Sequence, residues 1–561
     1  MPPIVSMGTQ SFEKLRQNHS FYIDKTLLIQ EWWESQDDVT LVTRPRRFGK
    51  TLNLDTLECF FSNQYAGRSD LFEGLSIWEH EKYRNLQGGF PLIFLSFATV
   101  KGNTYETARE GIIQVIINLY TKFSFMLQGD KLCEREKEYF DYMKTDMSDS
   151  MAAMSLHRLS ICLNRYYGKK VIILLDEYDT PLQEAYVNGY WDDMAEFIRS
   201  LFNAAFKTNP FMERAFLTGI TRISKESIFS DLNNLTVVTS VSEKYRTCFG
   251  FTEEEVFHAL DTFGMAGEKE AVKNWYDGFT FGSRRDIYNP WSITGFLKEK
   301  IYKPYWANSS SNNLVNFLIR SGTPGLKMTM EDLLAGKALV TEMDEEIVYH
   351  QLGKKRGSVW SLLLAGGYLR IEDTFFDRET GNFSYALKLT NKEVSVMFRN
   401  MIRDWFAGDD VPYNDFIRAM LRGNLREMNL YMNRVALETF STFDSGKKPS
   451  AASNPERFYH GFVLGLMAEL TGKYLITSNR ESGFGRYDVM LEPVNREDSA
   501  FVLEFKVHDP EEEKSLEDTV RAALAQIEER AYDTQLTAGG IPKSRIRHYG
   551  FAFQGKKVLI G

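Results

Sequence analysis

Cysteine is scarce in this sequence. The 561 residues carry four, Cys59, Cys133, Cys162 and Cys248, and none stands in C-x-x-C spacing. That argues against a disulfide framework or a thiolate metal site. Histidine is scarce too, with eight residues and no ligand cluster, so the usual zinc patterns are missing. No apolar run approaches the roughly 20 residues that span a bilayer, and no membrane contact is expected. The stretch MPPIVSMGTQSFEKLRQNHS has no apolar secretory core, which together with the few thiols predicts a cytoplasmic protein. A basic excess is also absent. The formal net charge is −9, so any nucleic-acid surface has to be a local patch rather than a global field.

What is present reads as globular: 43% apolar and 25% charged residues, enough chain for several cores. VTLVTRP, PLIFLSF, KKVIILLDEYD and RAFLTGI read as strands apolar on both faces. Helical patterns such as ETAREGIIQVIINLYTKF and DMAEFIRSLFNAAF lie between them. That alternation predicts an α/β fold with a parallel sheet. Residues from about Tyr302 to Phe440 read as mainly helical, with VWSLLLAGGYLRIED and SYALKLTNKEV as a helix and hairpin of winged-helix-like order. DSGKKPSAASNP reads as a linker. Beyond it the pattern is helix, strand pair, helix, and one last strand over RIRHYGFAFQGKKVLI. The expected domains are 1–295, a helical and winged region at 296–443, a linker at 444–455 and a last α/β module at 456–561.

RPRRFGKT, Arg44 to Thr51, follows a strand and precedes the helical LNLDTLECFF. The phosphate-loop pattern is G-x-x-x-x-G-K-[ST] in that context. Gly49 lets backbone N–H groups face phosphate oxygens, Lys50 supplies a point charge, and the Thr51 hydroxyl suits Mg²⁺. Arg44 stands where the first glycine belongs, and a G-K-T also serves as an ordinary helix entry. Arg46 and Arg47 read either as solvated charges or as part of the anion-binding field. VIILLDEYD then places Asp176 and Glu177 at a strand end, where Asp orients Mg²⁺ and Glu activates water. Thr218, in FLTGITRISKES, stands where a γ-phosphate sensor would, and Arg222 follows it. Plain capping and surface charge are the other readings of those two.

A second acidic set lies near the C-terminus. Side chains alternate along a strand, so in AFVLEFKV Glu504 and Lys506 share a face. With Asp488 from GRYDVMLEP they form a D…E-x-K set able to hold Mg²⁺ between the carboxylates, with Lys506 orienting the attacking water. An exposed strand face is the alternative. Glu456 could complete the metal shell or be a helix N-terminal carboxylate. His460 reads as a packed histidine, and Gln526 and Tyr532 as a polar helix face.

Taken together, FYIDKTLLI, RPRRFGKTLNL, LLDEYDTPL, FLTGITRISKESIFSDLNNL, WYDGFTFG, YNPWSI, FYHGFVLGL, GRYDVML and EFKV resemble the predicted AAA-ATPase-like proteins with a C-terminal PD-(D/E)XK nuclease-type domain. That family's loop also reads R-P-R-R-F-G-K-[ST]. The resemblance implies an N-terminal phosphate-loop NTPase parallel sheet (ASCE/AAA-like) and a C-terminal PD-(D/E)XK-like α/β domain. It implies a nucleotide site at Gly49, Lys50, Thr51, Asp176 and Glu177, and a nuclease site at Asp488, Glu504 and Lys506, with Glu456; Arg47, Thr218 and Arg222 stand beside the nucleotide site on the reading of the residues alone. Asp24 and Lys25 match its D-K-T block, with a place at the nucleotide base as one reading. ATP and Mg²⁺ are the expected cofactors. Nucleic acid, DNA ahead of RNA, is the expected partner, with a second copy of the chain or another protein beside it. Three functions stay open: an ATPase coupled to a Mg²⁺-dependent nuclease, a nucleotide-switched binding protein whose rear domain grips without cutting, and an ATPase whose nuclease-like domain is a structural relic.

Overall fold

The computed structural model describes residues 2–222, 228–229, 231–307, 313–320, 324–342, 357–378, 382–406 and 414–439, then 463, 467, 470, 473–478, 481–482, 485–486, 488–510, 512–555 and 557–561. They form two compact units: Met1–Leu314 with Ala338–Val394, and Val315–Lys337 with Ser395–Gly561. Among the described residues no helix is long and apolar enough to cross a membrane.

In the first unit five strands pair in parallel: β1 (Val39–Thr43), β2 (Leu92–Ser96), β3 (Val171–Asp176), β4 (Met212–Gly219) and β5 (Leu235–Val238). Their order is β2-β3-β4-β1-β5. VTLVT and VIILLD are buried end to end, as a sheet covered on both faces demands. β4 lies between β1 and β3, with Val42 opposite Thr218 and Leu175 opposite Leu217. The carboxyl ends of these three strands therefore meet at one end of the sheet. That is where ligands bind in open parallel sheets.

Two smaller sheets belong to the same unit. One orders β6 (Phe251–Thr252), β8 (Arg284–Tyr288) and β7 (Phe279–Phe281). Its strands are too short to leave a period in the sequence. The other orders β10 (Leu369–Phe376), β11 (Phe383–Leu389) and β9 (Leu339–Glu342), and β10 follows the helix Ser358–Ala365. This is the helix-then-hairpin order expected there.

The second unit is built on β12 (Tyr474–Ser478), β15 (Val489–Pro493), β16 (Ala500–Val507), β17 (Ile546–Gln554) and β18 (Lys557–Ile560), adjacent in that order. A short pair, β13 (Glu481–Ser482) and β14 (Gly485–Arg486), precedes β15. β15 and β16 are antiparallel, whereas β16 and β17 are parallel and joined through the helix Leu516–Glu529. The period of two along β16 sorts its side chains as expected. Phe501, Leu503 and Phe505 enter one core with Tyr549, Phe551 and Phe553. Val502 enters the opposite core with Ile527 and Tyr532. The last run differs from expectation: it is two antiparallel strands, because the chain turns at Gly555, whose φ of +61° suits glycine. The expected linker lies outside the described residues. Of the helix expected after it, Val463, Met467 and Leu470 are described, and all three are core residues one helical face apart.

Candidate functional sites

The loop after β1 turns through two left-handed residues, Arg47 at φ +65° and Gly49 at φ +78°, and the helix Lys50–Phe61 begins at once. Gly49 tolerates that backbone without strain. Lys50 is buried, and its Nζ donates to the carbonyls of Arg44 (3.0 Å) and Pro45 (2.9 Å). Burial pushes the Lys50 ammonium pKa below the usual lysine range, and the nearby charges of Glu177, Asp176 and Asp179 oppose that push.

Asp176 ends β3, buried, and both carboxylate oxygens accept hydroxyls. Thr51 Oγ1 donates to Oδ2 at 2.6 Å and Thr218 Oγ1 donates to Oδ1 at 2.6 Å. Thr218 thus meets the carboxylate directly. Glu177 follows in left-handed backbone, φ +52°, and accepts from Thr180 Oγ1 at 3.2 Å. A non-glycine residue held there stores roughly 1–3 kcal/mol, a cost that clusters at functional sites. Asp179 Oδ2 accepts from Ile220 N (3.0 Å), Thr221 N (2.9 Å) and Thr221 Oγ1 (2.8 Å), tying the loop after β4 to the end of β3. Gly219 is required there, since a Cβ would come 2.5 Å from the Tyr178 ring.

A cavity of about 600 Å³ opens over this end, lined by Arg46, Arg47, Gly49, Lys50, Thr51 and Glu177 among others. The donor set suits a nucleoside triphosphate with Mg²⁺: backbone N–H groups at a helix start, a buried lysine, and a hydroxyl on a carboxylate. Arg222 is half-buried and does not line the cavity. Asp24 accepts from Thr26 N (2.8 Å) and Ser76 N (2.7 Å), which is a structural tie. Lys25 pairs with Glu255 at 2.7 Å at the cavity wall.

In the second unit Asp488 stands just before β15, and its Oδ2 accepts from Phe505 N at 2.8 Å. Glu504, buried, points from β16 toward the helix Leu516–Glu529, where Gln526 Nε2 donates to its Oε1. Lys506 Nζ donates to Gln526 Oε1 at 2.8 Å. One amide therefore clips Glu504 and Lys506 together. Gln526 Nε2 also reaches Tyr532 Oη at 3.2 Å. Burial raises the Tyr532 phenol above its usual pKa. The Gln526 hydrogen bond lowers it and the charges of Glu504 and Asp488 raise it, so both carboxylates lie within electrostatic reach of one hydroxyl. Gly550 on β17 admits the helix, since a Cβ would stand 2.9 Å from Val520 O.

The sequence reading had left Gln526 on a polar face. The available signal was a glutamine about twenty residues after E-x-K, on the next helix. Glu456, His460 and the lysine pair of the expected linker, Lys447 and Lys448, lie outside the described residues, whereas the basic stretch KSRIRH, Lys543 to His548, is described. In KSRIRH, Arg545 donates to Arg496 O (3.0 Å), Arg547 to Leu421 O (2.8 Å), and His548 meets Asp533 at 2.7 Å. Much of that basic stretch is thus engaged within the unit.

Comparison with known proteins follows the same division. Residues 6–229 match the model of a family described as predicted AAA-ATPase. Residues 454–561 match that of the PD-(D/E)XK nuclease superfamily. A protein of Azotobacter chroococcum mcd 1, named "Uncharacterized protein in vnfD 5'region", is 26% identical over 395 residues, which cover 70% of this chain and 68% of that one.

Proposed function

We propose that this chain, whose residues 6–229 match the predicted AAA-ATPase family and 454–561 the PD-(D/E)XK nuclease superfamily, is an ATP-hydrolysing protein whose rear domain cuts nucleic acid with Mg²⁺. The observation that carries the ATPase half is the 2.6 Å bond from Thr51 Oγ1 to Asp176 Oδ2. It joins the phosphate-loop helix to the acidic strand at the point where a triphosphate and its metal need both.

In this reading Lys50 exchanges the carbonyls of Arg44 and Pro45 for β- and γ-phosphate oxygens. Its burial favours the exchange, because an anion is a better partner for a desolvated ammonium than a neutral carbonyl. Arg47 adds to the field, and the backbone at Gly49 faces the phosphates. Thr51 and Asp176 would hold Mg²⁺, with Thr218 fixing the free side of the carboxylate. Glu177 takes the proton of the attacking water, oriented by Thr180. Arg222, which does not line the cavity, takes no step in this reading.

In the rear domain Asp488 and Glu504, with Glu456, would hold Mg²⁺, which when bound lowers the pKa of a nearby water. Lys506, placed by Gln526, orients that water and meets the charge that develops on the phosphodiester. The substrate is nucleic acid, DNA ahead of RNA, and the protein works in the cytoplasm, alone or with copies or partners.

Lys50→Ala tests the front half. Titration with a fluorescent ATP analogue and Mg²⁺ should show binding by the wild type and a loss of at least about a hundredfold in affinity for the variant, as expected when a buried charged contact is removed. Equal affinity in the two would remove the phosphate-site reading.

A further inference from the structure

Phosphate loops keep small residues where phosphates must come close, yet this one holds three arginines. The fold sends them to different places. Arg44 is fully buried behind the loop: its Nη1 donates to Thr43 O (2.9 Å) and Thr239 O (2.8 Å), and its guanidinium lies 4.4 Å from the Phe281 ring. Arg47 is turned outward by its left-handed backbone, with its guanidinium 4.2 Å over the Trp291 ring. Arg46 takes a third position. Asn289 Nδ2 donates to its carbonyl at 3.3 Å, and its Nη2 reaches Gln183 Oε1 at 3.5 Å.

Gln183 belongs to the helix Thr180–Asn188, which starts three residues after Glu177. Arg46, Gln183, Glu177 and Lys50 all line the one cavity. The cation of Arg46 thus faces the same cavity as the lysine that meets the β- and γ-phosphates and the glutamate that meets the attacking water. Its charge is felt at Lys50, where it opposes the lysine's own.

We propose that Arg46 contacts the γ-phosphate in cis during hydrolysis, so that turnover needs no arginine from a second copy of the chain. This rests on the front-site reading above. In the step itself the water oxygen bonds to the γ-phosphorus and the bond from that phosphorus to the β,γ-bridging oxygen breaks. The electron pair leaves with ADP, and the water's proton passes to Glu177 and then to the released phosphate. Negative charge grows on the γ-oxygens and the bridge, and a fixed guanidinium beside them stabilises it. Gln183 and Asn289 hold Arg46 from its two ends, so little side-chain freedom is lost when it engages.

The test compares Mg²⁺-dependent binding of ADP and of a non-hydrolysable ATP analogue by wild type, Arg46→Ala and Arg46→Lys, with the melting midpoint of each apo protein. Arg46→Ala should weaken analogue binding about tenfold more than ADP binding, as loss of one charge-assisted contact to the third phosphate requires. Arg46→Lys should recover part of it, and apo melting should not move. Arg46→Gln should give the same split should the alanine variant not fold. Wild-type turnover per chain should stay constant over a roughly hundredfold range of protein concentration, as a cis residue requires. Equal weakening of both nucleotides, or turnover per chain that rises with concentration, overturns the assignment and leaves the front site standing. A wild type that binds neither nucleotide overturns both.

Discussion

Glu393 is a buried carboxylate with no part in either site. Its Oε1 accepts from Trp306 N at 2.6 Å and Ala307 N at 3.3 Å, and its Oε2 accepts from Ser292 Oγ at 2.8 Å. Burial raises its pKa from 4.5 to about 7, against the pull of those hydrogen bonds. The folded chain therefore holds a proton that the unfolded chain has lost between those values. Its contribution to stability is complete below pH 4.5 and falls as pH rises through about 7. Asp277, raised to about 7 by burial and then by its hydrogen bond to Asp286, acts in the same direction. Glutamine at 393 can accept the two N–H groups with its oxygen and donate to Ser292. Glu393→Gln should thus fold, and its denaturation midpoint should fall less between about pH 4 and about pH 8 than that of the wild type, two pH values that bracket the window. Parallel pH profiles for the two proteins would contradict this. None of it was legible in the sequence, where Glu393 falls at the end of SYALKLTNKEV, a stretch that reads as a hairpin, because its partners lie about a hundred residues away. Arg44 was opaque for the same reason: its burial depends on Thr239, Lys244 and Phe281. Asp176 was legible because five apolar residues lead straight into it.

At the scale of elements, the loop after β1 is anchored by an aromatic plug. Phe48 is buried with its ring centroid 4.8 Å from Phe279 and 5.4 Å from Phe281. Gly250 makes room for it, as a Cβ there would come 2.9 Å from the Phe48 ring. Phe48→Ala should cost about 3–5 kcal/mol, the range for a buried phenylalanine left as a cavity. Chemical denaturation reads this directly, and a loss below about 1 kcal/mol would mean that the loop needs no such anchor. The short strands that form this plug escaped the sequence because two- and three-residue runs carry no period. β16 did not escape it, since eight residues in strict alternation announce two faces. Gln526 lies between these cases. Its helix was legible, yet its role depends on the rotation that Gly550, Val520 and Ala523 impose, a packing outcome with no local signature.

At the scale of the whole molecule, segments that match two different families share one chain whose net charge is −9. That charge opposes long-range attraction to nucleic acid, so the proposed function requires short-range contacts near the rear site. Both candidate sites follow one physical scheme, a buried lysine or a clipped one beside carboxylates that strands position: Asp176 at the end of β3, Glu504 within β16. The account stands on the two sites acting as separate catalysts. The most direct measurement follows ATP hydrolysis and the cutting of labelled single- and double-stranded DNA, with Mg²⁺, for wild type and Lys506→Ala side by side. The account predicts that the wild type does both, and that Lys506→Ala loses cleavage by at least about a hundredfold while hydrolysing ATP at the wild-type rate. A wild type that hydrolyses ATP yet leaves every DNA and RNA form intact with Mg²⁺ or Mn²⁺, or a Lys506→Ala variant that cuts as well as the wild type, would contradict it.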